Sequence, residues 1–220
     1  QLRHVGQGRL GGASRNPICL LRLELLFTSC LVELAMMATG VIPKSVRSAF
    51  AAIDIENGDP PGTKLAAKFR GPIDVRVVCE SLTTTLHQTI LTKLQWWKWS
   101  GTDAPGGARG HWGWIPRDCL YGGNWERAWS EKLRTLKVLC RNPENYGEEL
   151  GESTFQFASH DQDPSDFASG QFHYVLHDEA PRFAIWRENE ARVISVKGRL
   201  LLAMTWPDDP AIPVDWIFDR

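Results

Sequence analysis

Phe172-His173-Tyr174-Val175-Leu176-His177-Asp178-Glu179-Ala180-Pro181 decides how this chain is read. An aromatic and branched run of this kind favours a strand, and this one ends in two adjacent acids. At the carboxyl end of a parallel strand, side chains project into the crevice where α/β proteins bind ligands. An aspartate placed there can hold Mg²⁺, which takes oxygen ligands and keeps several waters. A glutamate beside it can orient and deprotonate an attacking water. Asp178 is thus a candidate metal ligand and Glu179 a candidate catalytic base, the logic of a Walker B strand. The same letters also describe a strand that ends in a solvated acidic turn, so the surrounding sequence has to decide.

Working outward, Val75-Arg76-Val77-Val78-Cys79 reads as a buried strand. Ser81-Leu82-Thr83 can cap a helix from about Thr84 to Trp97, with Leu86, Ile90, Leu91, Leu94 and Trp97 at helical spacing. Gly101 to Gly113 is a glycine-rich loop, Trp129 to Leu133 a predicted helix, and Leu136 to Cys140 a strand. Asn142 to Glu152 reads as a polar connection. Thr154 to Ser159 alternates as a strand, and Arg199 to Thr205 forms another. Strands interleaved with helices predict an α/β fold with a mostly parallel sheet flanked by helices. On the amino-terminal side, a helix over Leu20–Met37 is broken by Gly40 and Pro43, and a short one follows at Val46–Ile53. The run Asn57-Gly58-Asp59-Pro60-Pro61-Gly62 is a strong loop signal. It divides the chain into an amino-terminal segment, residues 1–60, and a core, residues 61–220.

Composition narrows the function classes. A chain of 220 residues with a formal net charge of −1 has room for one good core and gives no bulk electrostatic sign of a nucleic-acid partner. A local basic groove remains compatible with that balance. Arg109, His111, Arg117, Arg127, Lys132 and Arg134 form a basic region interleaved with aromatics, which could face DNA, a neighbouring subunit or solvent. The 5 cysteines are widely spaced with no C-x-x-C pair, which argues against a disulfide framework or a zinc site and for thiols in a reducing cytoplasm. Ile18–Ala38 is apolar, but Arg22, Glu24 and Glu33 argue against a membrane span. His160, His173 and His177 have no metal-ligand spacing. The chain opens at Gln1 and closes on the apolar Val214–Phe218 stretch, so a fragment of a longer protein is expected.

The neighbours of the acidic pair carry a resemblance. Ser153-Thr154-Phe155-Gln156-Phe157-Ala158-Ser159, then His160-Asp161-Gln162-Asp163-Pro164 and Phe167-Ala168-Ser169-Gly170, resemble the text before Walker B in the large terminase subunits of tailed bacteriophages. A helix with Arg187 and Arg192 comes next. Lys197-Gly198-Arg199 through Thr205-Trp206-Pro207 resembles that family's coupling motif, and Asp215-Trp216-Ile217-Phe218-Asp219 its Trp-containing segment. Trp114-Ile115-Pro116-Arg117, Gly122-Gly123-Asn124-Trp125-Glu126 and Leu133-Arg134-Thr135-Leu136 look similar as well.

The resemblance implies a P-loop NTPase-like fold. It also implies ATP hydrolysis with Mg²⁺ that drives double-stranded DNA into a procapsid. Asp178 would sit on Mg²⁺, Glu179 would be the base, and Thr205 would sense the γ-phosphate and couple hydrolysis to movement. The implied partners are DNA, the portal protein, the small terminase subunit and further copies in a ring. The implied place is the host cytoplasm, at the portal. Two departures stand out. Trp206 separates Thr205 from Pro207, where the family has Thr-Pro adjacent. The phosphate loop G-x-x-x-x-G-K-[ST] is missing. Gly6-Gln7-Gly8-Arg9-Leu10-Gly11-Gly12-Ala13-Ser14 has glycines but no lysine. Lys44-Ser45, ahead of a helix, is the better placed candidate for phosphate binding, although Pro43 removes an amide donor. Two other readings stay open: another P-loop ATPase such as a helicase, and a degenerate prophage remnant that keeps the sheet without binding ATP.

Overall fold

In a computed structural model of the chain, residues 17–69, 71–95, 98–99, 110–111, 113–204 and 215–217 are described. The amino-terminal apolar stretch forms α1 (Pro17–Thr39). Phe27, Leu31, Leu34, Ala35 and Ala38, three or four residues apart, make the stripe by which it packs on a sheet. Gly40 ends the helix at φ +69, where an added Cβ would stand 1.8 Å from the Arg141 carbonyl oxygen. Only glycine lets the chain turn there while pressed against that backbone. Then come α2 (Lys44–Glu56), α3 (Thr63–Lys68) and β1 (Asp74–Cys79). The capping text at Ser81 leads into a π-helical turn, Thr85–Ile90, that runs on into α4 (Leu91–Leu94). Residues β2 (Lys98–Trp99) and β3 (Gly110–His111) pair as a small antiparallel ribbon. The remainder is α5 (Trp125–Ala128), β4 (Trp129–Ser130), β5 (Thr135–Arg141), β6 (Glu149–Ser159), β7 (Tyr174–Asp178), α6 (Phe183–Ile194) and β8 (Arg199–Ala203).

Six strands form one sheet in the order β4-β5-β6-β1-β7-β8. The fold is α/β, with a mixed sheet flanked by helices. The expected mostly parallel sheet holds over β6, β1, β7 and β8, while β4 and β5 join antiparallel at one edge. The physical reason lies in the segment read as a polar connection. Residues from Glu149 onward pair with β5 as the second arm of a hairpin, and the face they show is partly solvated. An antiparallel strand with one wet face carries no apolar run to announce it. The helix expected at Trp129–Leu133 is likewise one turn earlier. The Asn124 side chain caps α5 by accepting from the Arg127 N–H, and Trp129 and Ser130 are drawn into pairing with β5.

β1 is buried on both faces, so its successive residues serve two layers. Val75, Val77 and Cys79 join Phe155, Leu176, the α1 stripe and Leu86, Ile90 and Leu94 in one core. That core runs across position 60, with α1 on one side in sequence and the sheet on the other. Val78, Ala158 and Val175 face the other way and pack with Phe167, Phe172 and the α6 residues Ile185 and Val193. Among the described residues, no single helix is long and apolar enough to cross a membrane.

Candidate active site

β7 lies between β1 and β8, with His177 level with Val78 and Leu202 and Asp178 level with Ala203. Side chains alternate along a strand, so Tyr174, Leu176 and Asp178 share the α1 side while Val175 and His177 share the α6 side. The carboxylate pair therefore stands at the carboxyl ends of the parallel strands. The Glu179 N–H donates to the Ala203 carbonyl at 2.7 Å, which keeps the chain tied to β8 as it leaves the strand. Glu179 adopts φ +74, in the left-handed region. A non-glycine residue held there costs about 1 kcal/mol, and such outliers cluster at functional sites. It also breaks the strand alternation immediately after Asp178.

Burial pushes the Asp178 carboxyl up to about 6, and the neighbouring Glu179 and Glu80 charges add to the shift. Lys93 on α4 opposes them. Its Nζ donates to Thr28 Oγ1 on α1 at 3.0 Å, so the cation acting on Asp178 is fixed between two helices. Lys93 went unnoticed in the sequence; the available signal was its place between Leu91 and Leu94, both buried. Cys79 ends β1 on the same side, and burial followed by the Asp178 charge pushes its thiol up to about 12. It is a neutral packing group and not a nucleophile. The other described cysteines, Cys30, Cys119 and Cys140, are free thiols too.

Lys44 and Ser45 are not brought to this pair. They begin α2, where Arg47 bonds Glu144 and the Pro143 carbonyl in the loop after β5. Ser153 Oγ donates to the Ala38 carbonyl and accepts the Ile73 N–H, which fixes the end of α1 at the start of β1. Asp178 lies at the other end of the sheet, a strand length or about 17 Å away. Thr205 lies outside the described residues; β8 ends at Ala203, level with Asp178. Among the described residues, no group of three or more His, Cys, Asp and Glu is arranged to hold a metal. A single carboxylate still suits Mg²⁺, which is commonly held by one or two carboxylates together with substrate phosphates and water. Burial first, and then the crowding of Glu179 and Glu80, raises the Asp178 pKa, and a dication bound there would offset both.

On the opposite face His177 is fully buried, stacked on His160 at 5.8 Å and against a tilted Trp186 ring at 5.5 Å. Burial, with His160 and Arg76 adding, pushes it down to about 3. Burial likewise pushes His160 down to about 4, helped by Arg182 and opposed by Asp161. His177 Nδ1 and His160 Nε2 are buried without a hydrogen-bond partner. Both rings are neutral at neutral pH, and their unpartnered nitrogens depart from the fully hydrogen-bonded histidines the strand spacing suggested. Their folded pKa values lie below the ordinary 6.5, so they are silent above that pH. As pH falls from 6.5, the unfolded chain takes protons that the folded one refuses, and stability drops. At pH 5 each ring costs about 2 kcal/mol, against a gain of about 1 kcal/mol from Asp178, whose shift has the opposite sign. Thermal melts should show a net loss of about 2–3 kcal/mol between pH 7 and pH 5. His177→Phe keeps an aromatic ring there and should remove most of that loss, leaving about 1 kcal/mol or less; an unchanged acid limb in this variant would remove His177 from the account.

No family model, curated protein or solved structure matches the chain.

Proposed function

We propose that this chain is the ATPase core of a terminase-like DNA-packaging motor, with a P-loop NTPase-type sheet. The observation that carries this reading is the Asp178–Glu179 pair at the carboxyl end of a central parallel strand, with Glu179 held at positive φ and Lys93 set against Asp178. Asp178 would hold Mg²⁺, which when bound neutralises charge on the phosphate oxygens. Glu179 would take a proton from the attacking water. Lys93 would supply a fixed positive charge beside the reacting group, and Thr205 would couple hydrolysis to movement. Double-stranded DNA, a portal protein, a small terminase subunit and sister subunits in a ring are the partners this reading carries, in a host cytoplasm.

A second reading, a chain that keeps the sheet but binds no nucleotide, is favoured by one observation. Lys44 and Ser45 sit at the far end of the sheet, and the described residues include no phosphate loop beside Asp178. Equilibrium binding of ATP to the purified chain, with and without Mg²⁺, separates the two. The first reading expects Mg²⁺-dependent binding with Kd between about 1 μM and 1 mM. Absence of binding at millimolar ATP would sink it for this chain.

A further inference from the structure

A second polar site lies on the face of the sheet away from Asp178. A cleft of about 190 Å³ is lined by Arg76, Lys132, Arg134, Gln156, Gln162 and Asp166, with mainly polar walls. Three cations therefore face one carboxylate. Among the described residues none of the three forms an ion pair. Arg76 is the unusual one, with 1% of its surface exposed. Its guanidinium is held by the carbonyls of Phe167 and Ser169 and the side-chain oxygens of Gln156 and Asn189. These acceptors are neutral, so the Arg76 charge lies under the cleft bonded to no anion, with Asp166 the one carboxylate in the lining. Arg134 adopts φ +51, which residues other than glycine rarely do, and its carbonyl accepts the Phe157 N–H at 2.9 Å. The turn carrying Lys132 and Arg134 is thereby pinned to β6 at the rim. Both side chains are exposed. The cleft is smaller than the about 300–1,000 Å³ of pockets that enclose whole drug-sized ligands, so it suits one oxyanion group.

We propose that this cleft seats a phosphate group, gripped by Lys132 and Arg134 above the buried Arg76. Arginine matches the planar, bidentate geometry of phosphate oxygens, and lysine adds a point charge. The phosphate is either a free ion or a phosphodiester of a nucleic-acid strand. The inference does not depend on nucleotide chemistry at Asp178.

The test uses the full chain and two probes: inorganic phosphate by calorimetry, and a short labelled DNA duplex by anisotropy across a salt series. Lys132→Glu/Arg134→Glu is compared with the parent and with Lys64→Glu, a remote charge reversal on α3. The parent should bind at least one probe, and the double variant should bind it at least about tenfold more weakly. Loss of phosphate binding alone identifies a free ion. Loss of duplex binding, with a salt slope reduced by about 2, identifies a strand phosphodiester. The milder Lys132→Gln/Arg134→Gln should lie between parent and double reversal, and it replaces the reversal if that variant fails to fold. Binding of neither probe by the parent, equal binding by the double variant, or an equal loss in Lys64→Glu would overturn the proposal.

Discussion

Arg76→Ala is expected to lower the stability of the chain by about 3 kcal/mol, or about 10 °C in melting temperature for a domain of this size. Four acceptors lose their donor at once: Gln156, Asn189 and the carbonyls of Phe167 and Ser169. Each buried acceptor left unpaired costs about 1–3 kcal/mol, and water entering from the open cleft offsets part of this. The stem and guanidinium also pack on Phe172, with the guanidinium carbon 4.1 Å from the ring centroid, and that contact disappears as well. Burial, with Arg192 nearby, pulls the Arg76 pKa down to about 10, so the group is still charged at neutral pH. Arg76→Met separates the two contributions. It restores the apolar stem but no donor, so it should recover about 1 kcal/mol and leave the hydrogen-bond loss in place. Urea denaturation of the three proteins measures both differences. Equal stability of parent and Arg76→Ala would mean that water replaces the guanidinium without cost. Hydrogen exchange should rise most in residues 164–170, the segment that Arg76 ties to the sheet.

Arg76 also shows where sequence reading stops. The run Val75-Arg76-Val77-Val78-Cys79 announced a buried strand, and β1 is one. Nothing in those letters said what the arginine does, because Gln156 and Asn189 lie 80 and 113 residues away. Short-range signals behaved differently. Glycine at position 40, the helical spacing in α1 and the apolar run of β7 each act within a few residues, and each forms the element expected of it. The β5–β6 hairpin was read only in part, since its solvated arm has no apolar periodicity. At the candidate site, the adjacency of Asp178 and Glu179 was legible because it is covalent. The distance to Lys44 and the approach of Lys93 were not, because topology sets both. Lys44 precedes β1 by a length of chain that fits either end of a strand, and the packing of α1 selects the end away from Asp178.

If the chain hydrolyses ATP as proposed, Glu179→Gln and Asp178→Asn should fail in different ways. Glutamine keeps the shape of Glu179 but cannot take up a proton, so hydrolysis should fall about 10²–10⁴-fold while Mg²⁺-dependent ATP binding persists. Asparagine at 178 removes the charge that would hold the cation, so binding itself should lose its Mg²⁺ dependence. The two also differ in stability. The Asp178 carboxyl sits at about 6 in the folded chain against an ordinary 3.8, which means that its ionisation works against folding at neutral pH. The full cost of such a shift is about 3 kcal/mol, and residual solvent access around the site reduces it. Asp178→Asn should therefore stabilise the chain by about 1–2 kcal/mol at pH 7. The sign dictates the pH course: the advantage is complete above pH 6, where the folded aspartate is ionised, and fades as pH falls toward 4, where both states are protonated. Steady-state hydrolysis, equilibrium ATP binding and melts at two pH values read these outcomes separately. A Glu179→Gln chain that hydrolyses ATP as fast as the parent would take Glu179 out of the chemistry. An Asp178→Asn chain that melts below the parent at pH 7 would show that the buried carboxylate is already balanced by Lys93, leaving no unrelieved charge to draw a cation to the site.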